Sequence, residues 1–266
     1  MRSARAAFLP KDDEDPLEPQ SYRVLLMLPT VYRLWAKTRL RHMTPWINDW
    51  RTEEMFAGVP GRGAADASYH TALVIESCML KGEEFTGGAA DIYKCFDQID
   101  RTWLYRILKE AGMPRGILKA YEDFLEGLEV YNTVAGGLGQ PYTKPASIPQ
   151  GDPLSMMVVA LQLRAWIIQM NRIAVEPRVL ADDLLLMSTG NKSLKNFEYA
   201  YNLTHKHLYD MGAKVAPKKC ITFSSNAANR KWLKTNKWRR LGTTVKVVTD
   251  MRDLGAHLNA AGSKLS

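Results

Sequence analysis

The alternation of apolar and polar positions along this chain predicts helices and strands that are interleaved. Apolar residues recur at helical spacing in the stretches 31–43, 66–81, 100–111, 114–126, 153–172 and 193–211. Strand-like runs occupy 22–28, 85–91, 128–135, 140–148 and 177–186, and shorter ones lie near Val215, Ile221, Thr244 and Leu254. Because hairpins are prominent and β-α-β alternation is not regular, we expect an α+β fold with an antiparallel sheet backed by helices on one side.

Two adjacent carboxylates, Asp182 and Asp183, lie between apolar runs that are typical of strands. Side chains alternate between the two faces of a strand, so an Asp pair within a strand would bury a charge, whereas a hairpin tip would leave both accessible. Both could then reach one divalent cation, and carboxylate oxygens suit Mg²⁺ or Mn²⁺. A two-metal phosphoryl-transfer site needs a carboxylate from a second segment. Asp91, which follows small residues that would allow close strand packing, is the candidate.

Three segments resemble the catalytic motifs of reverse transcriptases, in the order and spacing of that family. The first is 91–97, in which an aromatic residue and then a second Asp follow Asp91. The second is 147–155, with Pro-Gln-Gly followed by Leu-Ser, and the third is Leu-Ala-Asp-Asp at 180–183. The amino-acid sequences of these motifs most resemble those of the non-LTR retrotransposon branch of the family.

This resemblance spans 11–259 and implies the palm of a right-hand polymerase with part of the fingers. It implies an N-terminal part of the fingers over 1–85 and a palm over 86–262, with a fingers insertion around 112–147. No segment resembles a thumb, an endonuclease or a ribonuclease H domain. We therefore expect the thumb and the other missing domains to lie in a longer parent polyprotein.

The resemblance implies a role in catalysis for four side chains. Asp91 and Asp182 would hold two Mg²⁺ ions, or Mn²⁺, and Asp183 would be a weaker or outer ligand. Phe96 matches the aromatic position under the sugar of the incoming nucleotide, where a ring would clash with the 2′-hydroxyl that distinguishes RNA from DNA. RNA-dependent RNA polymerases usually have Asp at that position. Phe96 therefore favours DNA synthesis from dNTPs, on an RNA template and a DNA primer.

Further positions are assigned by the same resemblance to the nucleotide and the primer. Those implied to contact the incoming nucleotide or the templating base are Ile92, Tyr93, Gln150, Gly151, Lys11, Arg23 and Lys219. Gly151 also has a physical reason, since a backbone without a Cβ can approach a base pair closely. Leu254 and Gly255 are similar to the Leu-Gly of the primer-grip hairpin.

A basic stretch interleaved with tryptophan stands apart from the three motifs. Lys and Arg neutralise phosphates and Trp can stack on a base, which favours a nucleic-acid-binding surface, although charge runs are also typical of solvated faces. Its members are Arg230, Lys231, Trp232, Lys234, Lys237, Trp238, Arg239 and Arg240.

Composition is compatible with this interpretation without requiring it. The 266 residues are 46% hydrophobic and 24% charged, as in ordinary globular proteins, and the net charge of +8 suits a polyanionic partner. Three separated cysteines and the lack of a secretory signal favour an intracellular location, in the nucleus or the cytoplasm. No apolar run reaches the ~20 residues of a membrane helix. Two alternatives stay open: a catalytically silent nucleic-acid-binding remnant of a retroelement, and an RNA-dependent RNA polymerase.

Overall fold

The computed structural model describes residues 2–11, 15, 17–18, 21–134, 136–254 and 256–260. Within them the helices are α1 (Thr30–His42), α2 (Thr44–Trp50), α3 (Ala64–Lys81), α4 (Cys95–Gln98), α5 (Arg101–Glu110), α6 (Arg115–Glu126), α7 (Ser155–Met170), α8 (Ser193–Asp210) and α9 (Ala227–Thr235). The strands are β1 (Ser3–Pro10), β2 (Tyr22–Met27), β3 (Phe85–Asp91), β4 (Glu129–Val134), β5 (Gly137–Leu138), β6 (Tyr142–Thr143), β7 (Glu176–Leu180), β8 (Asp183–Thr189), β9 (Ile221–Ser224), β10 (Lys246–Val247), β11 (Asp250–Asp253) and β12 (Ala256–Asn259).

The chain divides into two compact units, each made of two separate segments. Unit 1 comprises Met1–Trp50 and Phe96–Val158, and unit 2 comprises Arg51–Cys95 and Val159–Ser266. The subdomain boundaries expected from the resemblance, at 1–85 and 86–262, stay a prediction. The division by contacts differs from them, since it groups 51–95 with the sheet of unit 2 and 96–158 with the N-terminal strands.

Unit 1 is built on a mixed sheet with β1 in its interior. β1 pairs antiparallel with β2 and parallel with β4, and the short strands β5 and β6 pair with β4. Buried Ala4 and Ala6 alternate with exposed Arg5, so one face of β1 lies on the core. The sequence pattern does not predict β1, because alanine is not enriched in strands and gives a weak periodic signal.

Two helices of unit 1 support the segment that carries the second motif. Asp100 caps α5, since its side chain accepts a hydrogen bond of 2.9 Å from the N–H of the third helical residue. The buried guanidinium of Arg101 donates to the carbonyl of Ser147 at 2.8 Å and to the carbonyl of Leu125 at 3.0 Å. The end of α6 and the start of the second motif are therefore joined through one buried side chain.

The sheet of unit 2 has the strand order β10-β9-β3-β8-β7. β3 lies between β8 and β9, antiparallel to both. A Cβ at Gly88 would lie 2.6 Å from the carbonyl oxygen of Ile221 and 2.8 Å from the ring of Phe197, closer than real Cβ contacts. The prediction that the small residues before Asp91 allow close packing is thus confirmed.

Both faces of this sheet are covered. On one face, α8 packs Phe197 against Gly88, and the hydroxyl of Tyr201 donates to the carbonyl of Ala89 at 3.0 Å. On the other face a buried cluster joins α3, the sheet and the β11–β12 hairpin through Ile75, Cys78, Phe85, Leu185, Met187, Phe223, Met251, Leu258 and Ala260. The predicted α+β class is confirmed, and α3 adds helix cover to the second face because apolar residues of β3 and β8 point both ways.

Most of the predicted elements are present with nearby bounds, including the hairpin at 177–186. The pattern does not predict α2, α4 or α9, and of the predicted strand 140–148 only Tyr142–Thr143 is a strand. The strand expected near Val215 is an isolated bridge to Ile92, and the one expected near Thr244 lies at Lys246–Val247. Among the described residues, no helix combines the length and the apolar character needed to cross a membrane.

Candidate active site

The three predicted carboxylates come together at one end of the unit 2 sheet. Asp91, the last residue of β3, lies directly opposite Asp183, the first residue of β8. Asp182 lies in the tight turn from β7 to β8, which Ala181 enters with a φ of 56°. A left-handed conformation is uncommon for alanine and recurs at functional turns. The predicted hairpin tip therefore presents both of its carboxylates next to that of Asp91.

These carboxylates line a pocket of about 190 Å³. Its other lining residues are Ala89, Ala90, Leu185, Lys219, Ile221 and Met251. Lys219 was expected at this site from the sequence, and it is exposed at the pocket's edge. Charged and aliphatic side chains thus line the pocket together.

The carboxyl of Asp91 has two charged neighbours, Lys219 and Asp182. Burial raises the pKa of the Asp91 carboxyl, the ammonium of Lys219 acts against this rise, and the carboxylate of Asp182 adds to it. The repulsion between these two carboxylates favours a cation beside them. Burial raises the pKa of the neighbouring Cys95 thiol to about 12, with Asp182 and Asp91 adding to the rise. Cys95 therefore stays protonated at neutral pH.

The donor set suits hard divalent cations, since carboxylate oxygens are the ligands that Mg²⁺ and Mn²⁺ prefer. Across the described residues, however, no group of three or more His, Cys, Asp or Glu side chains is arranged to hold a metal ion. The third carboxylate, Asp183, has another partner. Its Oδ2 atom lies 3.6 Å from Nη2 of Arg178, a residue of β7 that the motif comparison did not select. The signal available in the sequence was an arginine within an apolar run that leads to the Asp pair.

Residues of the second motif are held in unit 1 by backbone contacts. The N–H of Ile148 donates to the carbonyl of Phe96 at 3.0 Å, and the N–H of Leu26 donates to the carbonyl of Gln150 at 2.9 Å. Gly151 has a φ of 119°, and a Cβ there would lie 2.8 Å from the carbonyl oxygen of Leu26. Only glycine fits this position, because both the backbone angle and the close approach exclude a side chain.

Asp152, which follows that glycine, is buried and accepts several hydrogen bonds. The hydroxyl of Tyr32 donates to it at 3.0 Å, and the N–H of Leu154 donates at 3.1 Å. Burial raises the pKa of Asp152 to about 6, and bonds from Leu154, Tyr32, Tyr121 and Ser155 oppose that rise. Asp152 therefore anchors the Gln-Gly turn that precedes it.

The basic residues predicted for the fingers lie on one hairpin of unit 1. The register of β1 and β2 sets Arg23 opposite Leu9, and the N–H of Lys11 donates to the carbonyl of Ser21 at 2.8 Å. Because opposite residues of an antiparallel pair share a face, Arg23 and Lys11 are on the same face of the hairpin.

The segment after Asp91 is partly engaged within unit 2. The N–H of Tyr93 donates to the carbonyl of Lys214 at 2.8 Å, and Ile92 bridges to Val215. A contact from the Tyr93 amide to a triphosphate, as the resemblance implies, would require that bond to be exchanged.

The basic stretch of unit 2 is exposed only in part. Trp238 is fully buried, with its ring centroid 4.6 Å from that of Tyr201 and 5.9 Å from that of Phe197. Trp232 is half-buried against Trp238. Arg230 donates to the carbonyls of the last β9 residue and its successor at 2.7 and 2.8 Å. The stacking role predicted for Trp238 does not fit its burial, because no face of that ring is open.

The cations of this stretch that remain exposed are Lys231, Lys234, Lys237, Arg239 and Arg240. Leu254, predicted for a primer grip, lies in the turn between β11 and β12 with a φ of 48°. Gly255, its predicted partner, lies outside the described residues.

A largely antiparallel sheet that ends in paired carboxylates at a hairpin turn, beside a lysine, is the palm of a right-hand polymerase. The reverse transcriptase (RNA-dependent DNA polymerase) family matches residues 9–245, and this chain belongs to that family. It is 22% identical over 230 residues to the retrovirus-related Pol polyprotein from a type-2 retrotransposable element of Drosophila melanogaster, covering 84% of this chain and 21% of that protein. The predicted resemblance to the non-LTR branch is thereby confirmed.

Solved structures of telomerase share the fold. An apo telomerase from Candida tropicalis superposes with a TM-score of 0.69 at 10% identity, over 98% of this chain and 47% of that one. Telomerase from Candida albicans, solved with a fragment of telomeric RNA, gives 0.65 at 14% identity, over 98% and 44%. This chain spans about a fifth of the Drosophila polyprotein and less than half of either telomerase chain.

Proposed function

We propose that this chain is the RNA-directed DNA polymerase core of a retroelement. It adds deoxynucleotides from dNTPs to the 3′-hydroxyl of a DNA primer paired with an RNA template. The observation that carries the proposal is the register of β3 and β8, which sets Asp91 opposite Asp183 with Asp182 in the adjoining turn. Carboxylates from two segments of the chain are what two-metal nucleotidyl transfer needs.

The side chains of this pocket supply the metal site and part of its charge balance. Asp91 and Asp182 would hold two Mg²⁺ ions, or Mn²⁺. Such ions would supply positive charge that stabilises the charge developing in nucleotidyl transfer. Lys219 lies at the pocket's edge, where an ammonium can neutralise charge on a triphosphate. Lys11 and Arg23 add positive charge to the same substrate from their shared hairpin face.

Phe96 and the second motif select and position the nucleotide. The ring of Phe96 excludes a 2′-hydroxyl, so that dNTPs are used in preference to rNTPs. Gln150 contacts the base pair, and Gly151, which has no Cβ, lets the backbone approach it. This assignment favours DNA synthesis over the RNA polymerase alternative.

Nucleic acid binds through phosphate contacts. The exposed cations of α9 and the segment after it, with the net charge of +8, give a surface that suits a polyanion. The activity belongs to a longer protein in this proposal, as in the Drosophila relative. An intracellular location is part of it, and the three cysteines, buried and not in disulfides, suit a reducing compartment.

Primer extension on an RNA template tests the proposal. The purified chain is used in excess over template–primer, so that weak binding does not limit the signal, and dNTPs are compared with rNTPs. We expect extension with dNTPs that requires Mg²⁺ or Mn²⁺ and is lost in Asp91→Asn. Extension with rNTPs instead would support an RNA polymerase. A folded chain that binds RNA but extends neither would be a silent remnant.

A further inference from the structure

Arg178 is a buried cation beside the catalytic turn. It lies in β7, its side chain is 2% exposed, and its Nη2 atom is 3.6 Å from Oδ2 of Asp183. The register pairs Arg178 with Leu185, so Asp183 is its diagonal neighbour on the same face of the sheet. The ion pair is thus set by strand pairing.

A second contact, to α3, also holds the guanidinium of Arg178. Nη1 of Arg178 donates to Oγ1 of Thr71 on α3 at 2.7 Å, and that hydroxyl donates in turn to the carbonyl of Ala67 at 3.1 Å. Thr71 is 1% exposed. A buried guanidinium is strongly unfavourable unless it is paired and hydrogen-bonded. Arg178 is therefore restrained on two sides, and it restrains the carboxylate that it meets.

The two adjacent acids of the turn consequently face different partners. All three acids line the pocket with Lys219, and Asp182 is close enough to Asp91 for their charges to interact. Asp183, whose side chain is 32% exposed, directs an oxygen at the buried guanidinium. The negative charge available to a cation therefore comes mainly from Asp91 and Asp182.

We propose that Arg178 is a positioning residue that neutralises Asp183 and holds its carboxylate back from the metal ions, so that Asp91 and Asp182 form the ligand pair. This rests on the proposed function, because it concerns the metal ions of that reaction. It accounts for two neighbouring acids with separate tasks. One binds metal, and the other joins the turn to β7 and, through Arg178, to α3.

Binding of Mn²⁺ to the whole chain tests this without any polymerase assay. Free Mn²⁺ is measured by electron paramagnetic resonance as metal is added, and melting temperature reports folding. We expect Asp183→Asn, which leaves the charge of Arg178 uncompensated, to weaken Mn²⁺ binding by only about threefold, whereas Asp182→Asn weakens it by roughly tenfold or more, since it removes a charged ligand. Equal weakening by the two substitutions would overturn the proposal.

A second set of variants isolates the guanidinium. Arg178→Met leaves Asp183 uncompensated, so Mn²⁺ should bind about threefold more tightly, and adding Asp183→Asn should restore the parent value. Arg178→Lys keeps the charge and should stay near the parent. Unchanged or weaker binding in a folded Arg178→Met protein contradicts the proposal. If that variant does not fold, the Asp183→Asn comparison still decides. If neither Asp91→Asn nor Asp182→Asn weakens binding, the metal assignment in the proposed function fails instead.

Discussion

The hydroxyl of Tyr32 donates a hydrogen bond of 3.0 Å to the carboxylate of Asp152, joining α1 to the residue that follows the Gln-Gly turn. The ring of Tyr32 is itself stacked on Phe124 of α6, with the centroids 3.4 Å apart. A buried carboxylate between these helices fixes the start of α7. The Gln-Gly turn, which is proposed to contact the base pair, is therefore held in place by the buried side chain of Asp152.

The buried carboxyl of Asp152 should make stability depend on pH. Burial raises its pKa from 3.8 to about 6, so the folded state holds its proton more strongly than the unfolded state. The contribution of Asp152 to the free energy of unfolding should then be fully present below pH 4. It should be lost as the pH rises through 6, by roughly 3 kcal/mol in total. Asp152→Asn has no such proton to lose. Urea unfolding at several pH values measures the free energy of unfolding of both proteins. The value for the variant minus that for the parent should increase between pH 4 and 7.

The comparison must be made between variant and parent at each pH. Burial lowers the pKa of His205 to about 4, so this ring contributes the opposite slope, with stability lost as the pH falls below its ordinary value of 6.5. His205 is present in both proteins and its effect cancels in the difference. A difference between parent and Asp152→Asn that stays constant from pH 4 to 7 would show that Asp152 does not titrate as its burial implies.

Asp182→Asn should abolish nucleotide addition while the fold and the affinity for nucleic acid are kept. The carboxylate lies in the β7–β8 turn, lines the pocket and is proposed to act on the metal ions, so its replacement by the isosteric amide should affect the chemistry more than the fold. Single-turnover primer extension measures the activity, and melting temperature checks the fold. Asp210→Asn, an exposed change at the end of α8, is the matched control and should behave as the parent. Extension by Asp182→Asn within tenfold of the parent would refute the two-metal assignment.

Phe96→Val should admit ribonucleotides. If the ring is a steric filter, the ratio of kcat/KM for dNTP over rNTP falls by orders of magnitude, chiefly because rNTP use rises. Phe8→Val, at another half-buried phenylalanine, should leave the ratio unchanged. A drop in dNTP use alone, with a lower melting temperature, would assign Phe96 to packing, since truncating a buried Phe costs ~3–5 kcal/mol.

Gly88→Ala should destabilise the unit 2 sheet strongly. Its new methyl would lie 2.6 Å from a backbone oxygen of β9 and 2.8 Å from the ring of Phe197, so the strands must separate. Gly116→Ala, on α6, meets nothing within 4 Å and should be neutral or stabilising by about 0.4–1 kcal/mol. Thermal melting of the two variants measures the contrast. Equal melting temperatures would mean that β3 and β9 are not held so closely.

The carboxylate site could be predicted from the sequence because its signals are local. Asp182 and Asp183 are adjacent between apolar runs, and the small residues before Asp91 mark a strand with close neighbours. Strand pairing then brought the segments together as expected. Local patterns also located most helices, since caps such as Asp100 act on their own helix.

The remaining features depend on tertiary contacts that no short segment specifies. Trp238 lies among cations, which is typical of an exposed stretch, yet it is enclosed by aromatic residues of α8 and by Trp232. The partner of Arg178 is fixed by the register of β7 with β8 and by α3, which are far apart in sequence. The alanines of β1 are buried in a sheet in which β1 pairs with β4, a strand far away in sequence. Their burial therefore cannot be predicted from the β1 segment alone.

The parallel pairing of β1 with β4 has a consequence for synthesis of the chain. Ser3 pairs with Glu129, so β1 leaves the ribosome long before its neighbour exists. Until then the β1–β2 hairpin has an open strand edge, and closing so long a loop is slow. Open edges are sites at which chains join wrongly. A nascent or fragmented chain that stops before β4 should therefore depend on chaperones to a degree that the finished protein does not.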